Sequence, residues 1–339
     1  MTTDAPARFG RPLQWLAPPG RRRGRARLRY TGGLAKDGRA LVLHVGHDGW
    51  RKPHDVRMER VGDRVWEAEV PIDDWHVLDC VVRSLSSCDN NDGADYRLWI
   101  DLDPVDAHVH ARAPGAGTLG FHSLLAAAAV PWLTPLVWVR PGGPDPDDVR
   151  RRLADGAAGL KLHPAYDSYP ADTPGLDPYL RIAAEARVPV TVHSGPGPAD
   201  PDRIRLLAER FPTVTFVLYH TFLGLPEGRR RASRHAQRLP NLYLETSWCS
   251  STEVERLIDE VGPDRVLFGS DAATDGPGHF VREPPNIEMR ENYNGSLLRL
   301  AQRLRPAVTR KLLEDNTRAL FGLSRSSSAA TTSLRGGAT

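Results

Sequence analysis

Cysteine is scarce in this 339-residue chain. Cys80, Cys88 and Cys249 are an odd number with no Cys-x-x-Cys pair, which excludes a disulfide framework and a thiolate zinc site. Lysine is nearly absent: it stands only at positions 36, 52, 161 and 311, so the basic charge is almost all arginine and Lys161 is alone in the middle of the chain. An excess of one charge sign is also missing. With 45 Lys+Arg against 42 Asp+Glu, the net +3 argues against nucleic acid or an acidic membrane as a general partner. No stretch approaches the roughly 18 apolar residues of a membrane span, and Met1 to Gly10 has no apolar core of the signal-peptide kind. These absences predict a soluble, cytoplasmic protein with a small-molecule partner. They leave open whether it is a homo-oligomer.

What is present divides into segments. Residues 1–21, rich in Pro, Ala and Arg, read as a loose arm, and 324–339, rich in Ser, Thr, Ala and Gly, as a disordered tail. Between them the length suits one large domain and a smaller module. Over 22–102, short alternating runs (Ala26 to Tyr30, Ala40 to Val45, Arg64 to Val70, Val77 to Val82, Tyr96 to Ile100) are separated by turn residues such as Lys36-Asp37-Gly38. Close strands with no helical period between them predict a small Ig-like antiparallel β-sandwich. Leu43-His44-Val45-Gly46-His47-Asp48-Gly49-Trp50 and the later Asp89-Asn90-Asn91-Asp92-Gly93-Ala94-Asp95-Tyr96 resemble starch-binding modules of the carbohydrate-binding family 25 type. The resemblance implies an α-glucan partner, with Trp50 as the aromatic for sugar contact. The family's tryptophan before the Asp-Asn-Asn run is replaced here by Cys88, which leaves a purely structural module as the other reading.

From 103 to 323 the pattern changes to apolar strands alternating with amphipathic helices, the grammar of a parallel α/β sheet. Strands are predicted at Val105 to His110, Leu133 to Val139, Gly159 to His163, Val188 to His193, Thr215 to His220, Asn241 to Thr246 and Arg265 to Asp271. Asp177-Pro178 and Asp200-Pro201 mark helix starts, Ser250 with Glu253 a capping box, and Gly262 a helix end. Seven strands are one short of a TIM-like (β/α)8 barrel. Either the eighth lies within 117–130, as a short strand at Thr118 to Phe121, or the barrel is incomplete there; both make the second βα unit irregular.

The first barrel strand carries the chemistry. His108 and His110, two apart on a strand, point to the same side and make a pincer for one metal ion, with Asp106 a layer deeper to support it. A lone His-x-His is weak. Here His193, His220 and Asp271 end three other strands, and in a closed barrel all such ends open on one face. Imidazoles with one carboxylate suit Zn²⁺, with Mn²⁺ or another transition metal nearly as well matched.

The pieces Asp106-Ala107-His108-Val109-His110, Gly159-Leu160-Lys161-Leu162-His163-Pro164, Val192-His193, Tyr219-His220, Phe268-Gly269-Ser270-Asp271 and Asn316 to Leu323 resemble the amidohydrolase superfamily, and within it the amidohydrolase-2 branch. That resemblance implies one divalent metal held by His108, His110, His193 and Asp271. Asp271 would also move the proton of a water whose pKa a zinc ion brings from 15.7 to about 7. His220 would polarise the substrate carbonyl or act as a second acid. In binuclear relatives a lysine on the strand of Lys161 is carboxylated and bridges two metals; the other reading has Lys161 as a substrate or packing charge. His163 is either a substrate contact or a satisfied core histidine, and Trp248 either a wall of the site or barrel packing. His122 would line the site. The long loop after Asp271 carries His279 and Arg282, the latter suited to a carboxylate-bearing substrate.

Three functions follow as expectations. The first is a metal-dependent hydrolase of a C–N or C–O bond in an amide, lactone or cyclic amide. The second is a metal-dependent non-oxidative decarboxylase of an unsaturated or aromatic acid. The third is a carbohydrate-tethered binding protein without catalysis, which the full set of ligand positions opposes.

Overall fold

The computed structural model describes residues 12–17, 23–37, 40–90, 95–100, 102, 104–112, 121–127, 133–273 and 303–323. These fall into two compact units, one within 11–101 and one within 102–323.

The first unit is built of two antiparallel sheets. One has the order β1-β2-β6-β5, from β1 (Leu13–Ala17), β2 (Arg23–Tyr30), β5 (Glu59–Gly62) and β6 (Val65–Asp73). The other has β4-β3-β7-β8, from β3 (Val42–His47), β4 (Arg51–Arg57), β7 (Val77–Arg83) and β8 (Cys88–Asp89), with β9 (Tyr96–Trp99) also on β7. Alternate residues of each sheet point inward, so Leu28, Tyr30, Leu43, Val45, Val70, Leu78 and Val82 share one core. The expected sandwich is therefore present. It begins earlier than expected: Leu13–Ala17, placed in the loose arm by composition, pairs with β2 and buries Leu13 completely. The Leu-Gln-Trp-Leu-Ala run supplies its own alternation, and the Trp15 indole donates to the Trp99 carbonyl at 3.0 Å. Residues 1–11 and 324–339 lie outside the described residues.

The second unit is a nine-stranded sheet closed on itself. Its strands are β10 (Val105–Arg112), β11 (Phe121–Ala127), β12 (Leu133–Trp138), β13 (Leu160–Leu162), β14 (Val190–His193), β15 (Phe216–Tyr219), β16 (Leu242–Glu245), β17 (Val266–Leu267) and β18 (Ala272–Ala273). From β12 to β17 every neighbour is parallel. β17 and β18 belong to one passage of chain: β17 pairs with β16, while β18 pairs with β10 through Val109 and Ala272, and this closes the barrel. The missing strand is β11. It lies after the expected Thr118 to Phe121, touching it only at Phe121, and it is antiparallel to both β10 and β12, so β10, β11 and β12 form an up-down-up meander in place of the second βα unit.

Helices α1 (Pro146–Ala154), α2 (Asp177–Ala186), α3 (Pro201–Arg210), α4 (Pro226–Arg238) and α5 (Ser251–Val261) alternate with the parallel strands. Asp145 caps α1 by accepting from the Asp147 amide (2.7 Å), Asp200 caps α3 through Asp202 (3.0 Å), and Ser250 caps α5 through Glu253 (3.3 Å). Each cap is worth about 1 kcal/mol. Asp177 does not cap. A short 3-10 turn, Pro174–Leu176, precedes it, so Asp177 is already helical and its carboxylate meets Arg210 at 2.9 Å. The last helical stretch, 306–321, packs on β17, where the Asn316 side chain donates to the carbonyls of Pro263 (2.7 Å) and Val266 (2.8 Å).

Candidate metal centre

The carboxyl ends of β10, β14, β15, β16 and the β17–β18 passage meet at one point. His108 Nε2 lies 3.0 Å from His110 Nε2, and Asp271 Oδ1 lies 3.1 Å from the first and 3.2 Å from the second. Asp106 steadies this end of β10. Fully buried, it accepts from the amides of His108 and Ser270, both at 3.0 Å, and from the Ser270 hydroxyl at 2.5 Å, so β10 is tied to the segment that carries Asp271. Across the site, His220 Nε2 lies 3.1 Å from His193 Nδ1. His108, His220 and Asp271 each offer a ligand atom within 4.8 Å of the other two. Of the five side chains expected there, His108, His110 and Asp271 meet within 3.0–3.2 Å and His220 joins His108 and Asp271, while His193 is reached only through His220.

The backbone there is unusual. His220 (φ +67°), Trp248 (φ +64°) and Asp271 (φ +56°) adopt left-handed conformations without being glycine. Such residues cost of order 1–3 kcal/mol each and gather at functional sites.

Burial sets the protonation states. It pushes His108 and His220 well below the usual imidazole range, and with Lys161 nearby it brings His193 down to about 4 and His163 to about 2. These imidazoles are therefore neutral at pH 7, the form that ligates metals. Burial alone would raise Asp271, but the hydrogen bonds from His110 and the Trp248 indole hold it below the ordinary carboxylate range. The three closest atoms are spaced as neighbouring ligands about 2.0–2.2 Å from one ion would be. Neutral His108 and ionised Asp271 at that spacing, with His110 beside them, fit a divalent cation.

Glu245, at the end of β16, was not singled out from the sequence. It is fully buried beneath the site, and its Oε2 accepts from the His220 amide (2.9 Å) and the Ser247 hydroxyl (2.7 Å) and lies 3.1 Å from His108 Nδ1. Burial pushes its carboxyl up to about 8, against the pull of these donors. In sequence it is one polar residue at the end of an apolar strand. Its partner His108 lies 137 residues away, a separation that no local pattern reveals.

An aromatic wall flanks the histidines. His163 stacks on His193 (centroids 4.0 Å, 13°) and on Trp138 (5.6 Å, 14°), whose indole is anchored to Asp167 at 2.8 Å. Tyr166, half exposed, meets Trp138 edge-on. Trp138 and Tyr166 were also missed: each reads as an ordinary strand-end or loop aromatic. Trp248 donates to Asp271 Oδ2 at 2.8 Å. Lys161 is fully buried, its ammonium over the Tyr219 ring. His279 and Arg282 lie outside the described residues, as does the side chain of His122.

In the sandwich unit, the Trp50 indole donates to Asp95 at 2.9 Å and its ring stacks on His44 (5.6 Å, 26°). The amides of Gly49 and Trp50 donate to Asp79 (2.7 and 2.9 Å), which fixes the loop. Gly46 is required at this turn, because a Cβ there would stand 2.9 Å from the Trp50 Cα. Asp89 works inward, accepting from the hydroxyls of Tyr30 (2.5 Å) and Tyr96 (2.9 Å), while Cys88 is exposed.

A closed barrel with histidines and an aspartate at its strand ends defines a metal-site enzyme class. Residues 105–323 match the family model described as Amidohydrolase, and the chain belongs to that family, whose members are metal-dependent enzymes. Residues 26–80 match the model of a starch/carbohydrate-binding module of family 53, the starch-binding character expected from the sequence under a different family number. Solved structures similar to the chain include an uncharacterized TIM-barrel protein from Bordetella bronchiseptica, at 18% identity and TM-score 0.43, covering 56% of this chain and 66% of that one. An amidohydrolase 2 from Bifidobacterium longum subsp. infantis has 18% identity and TM-score 0.38, covering 56% and 80%. A manganese complex of 5-carboxyvanillate decarboxylase from Novosphingobium aromaticivorans has 15% identity and TM-score 0.40, covering 55% and 63%. The chain thus spans just under two thirds of the first and third of these. No curated protein matches it. Among the described residues no helix is long and apolar enough to cross a membrane.

Proposed function

We propose that the chain is a metal-dependent hydrolase of a C–N or C–O bond in a small polar substrate, an amide, lactone or cyclic amide. The observation that carries it is the convergence of His108 Nε2, His110 Nε2 and Asp271 Oδ1 within 3.0–3.2 Å of one another. In this reading His108, His110, His193 and Asp271 hold one divalent cation, zinc foremost and manganese next. When bound, the cation supplies Lewis-acid chemistry and brings the pKa of water toward neutrality. Asp271, ionised and steadied by Trp248, takes up the proton of the attacking water and returns it to the leaving group. His220 is neutral with its Nε2 beside His193 and turned to the centre, in place to take up a proton there and, once protonated, to act as the acid that polarises the scissile carbonyl. Trp138, His163 and Tyr166 form the wall against which the substrate lies, with Trp248, Lys161, His279 and Arg282 as further candidate contacts. Metal analysis with His193→Ala tests the assignment: purified protein without stoichiometric divalent metal, or a variant retaining both metal and activity, defeats it.

That aromatic wall supports a second reading, non-oxidative decarboxylation of an unsaturated or aromatic acid, since a flat conjugated ring stacks well on His163 and Trp138. Release of CO₂ without consumption of water separates the two. The sandwich, with Trp50 presented beside His44, is proposed to tether the enzyme to an α-glucan.

A further inference from the structure

Glu245 and Ser247 touch both halves of the candidate centre, one through His108 and the other through His220. His108 Nδ1 faces only acceptors, Glu245 Oε2 at 3.1 Å and Ser247 Oγ at 3.3 Å. Both Glu245 oxygens already receive donors, Oε2 from the His220 amide and the Ser247 hydroxyl and Oε1 from the Ser247 amide, so with the group ionised neither has a hydrogen to give; the hydrogen of His108 then sits on Nδ1 and its Nε2 lone pair points at His110 and Asp271. Ser247 carries the same constraint onward. Its hydroxyl donates to Glu245 Oε2 at 2.7 Å, which leaves its oxygen to accept from His220 Nδ1 at 2.8 Å. The hydrogen of His220 is therefore also on Nδ1, and Nε2 is a bare lone pair 3.1 Å from His193 Nδ1. The His220 amide donates to the same carboxylate oxygen at 2.9 Å, holding the left-handed turn that aims the ring.

Space has been cleared for this carboxylate. A Cβ at Gly269 would meet Glu245 Oε1, stand 2.6 Å from Glu245 Cδ and 2.8 Å from His108 Cβ, so only glycine lets the three elements approach this closely.

We propose that Glu245 and Ser247 are positioning residues which set one tautomer on both His108 and His220, so that both Nε2 lone pairs face the centre. The inference rests on the metal-site reading. Partners of this kind, behind the ligands, typically change metal affinity by about 10–100-fold.

The test uses the full-length protein with ¹⁵N-labelled histidine. Two-bond ¹H–¹⁵N correlation spectra of the metal-free wild type at pH 9, above the value of about 8 to which burial pushes Glu245, are expected to show Nδ1–H tautomers for His108 and His220. In Ser247→Ala, His220 is expected to lose that preference while His108 keeps it. In Glu245→Gln both are expected to lose it, and Co²⁺ affinity, measured by competition with a chelator, is expected to fall about 10–100-fold with an altered visible spectrum. Nδ1–H tautomers persisting in both variants, or Co²⁺ bound by Glu245→Gln with wild-type affinity and spectrum, would overturn the proposal. If far-UV circular dichroism shows Glu245→Gln unfolded, Ser247→Ala decides: an unchanged His220 tautomer refutes the relay. Failure of the wild type to bind Co²⁺ defeats the metal-site reading, and is told apart because the tautomers are read without metal.

Discussion

The ammonium of Lys161 lies 3.8 Å from the centre of the Tyr219 ring, and among the described residues no hydrogen-bond acceptor reaches it. The same ring stacks on His108 (3.7 Å, 29°), so a buried cation and a candidate ligand share one aromatic side chain.

Burial lowers Lys161 from 10.5 to about 7, against the pull of Asp271 and Glu245. The folded state thus releases a proton that the unfolded chain keeps. The stabilisation tied to that release is present above about 10.5 and is lost as pH falls through about 7. Lys161→Met should therefore raise the Tm of the metal-free protein at pH 6 more than at pH 9. Equal shifts at the two pH values in calorimetry would contradict this.

Trp248→Phe removes the donor to Asp271 Oδ2 while keeping an aromatic ring. A hydrogen bond to a charged group contributes about 1.5–3 kcal/mol, so the carboxylate pKa should rise by about one unit or more. The acid limb of the kcat/KM profile should move to higher pH in step, and a limb that stays in place would separate Asp271 from the proton transfer.

Gly269→Ala places a methyl group against Glu245 and His108. The expected loss is about 1–3 kcal/mol in urea unfolding, with weaker metal binding alongside. Wild-type stability and metal content together would mean that the two strands can separate there without cost.

Trp50→Ala should weaken binding to maltooligosaccharides, by about 1 kcal/mol or more in titration calorimetry, and leave barrel activity on a soluble substrate intact. Equal affinity in the variant would move the sugar contact elsewhere or leave the sandwich structural.

Much of the barrel was legible because each parallel strand is a short apolar run with a polar residue at its site end, as in Val190–His193 and Phe216–Tyr219 before His220. β11 was harder to place. Phe-His-Ser-Leu-Leu-Ala-Ala has no β-branched residue and no strict alternation, and its strand form comes from pairing on both sides. β4 was equally hidden, since Arg-Lys-Pro-His-Asp-Val-Arg is exposed almost throughout and carries no apolar rhythm. At the site, the candidate ligands announce themselves by residue type and position. Glu245, Ser247 and Trp138 do not, because their roles depend on which strands become neighbours.

β18 joins β10 where the barrel closes, and the candidate ligands lie on both sides of that seam: His108 and His110 on the first strand, Asp271 beside the last. An ion held there would fasten the beginning of the barrel chain to its end. Its binding energy would oppose opening of the seam and offset the entropy of closing the long loop between them. Metal affinity would then report whether the last strand has docked, and a chain truncated before Asp271 would lack both the clasp and the chemistry.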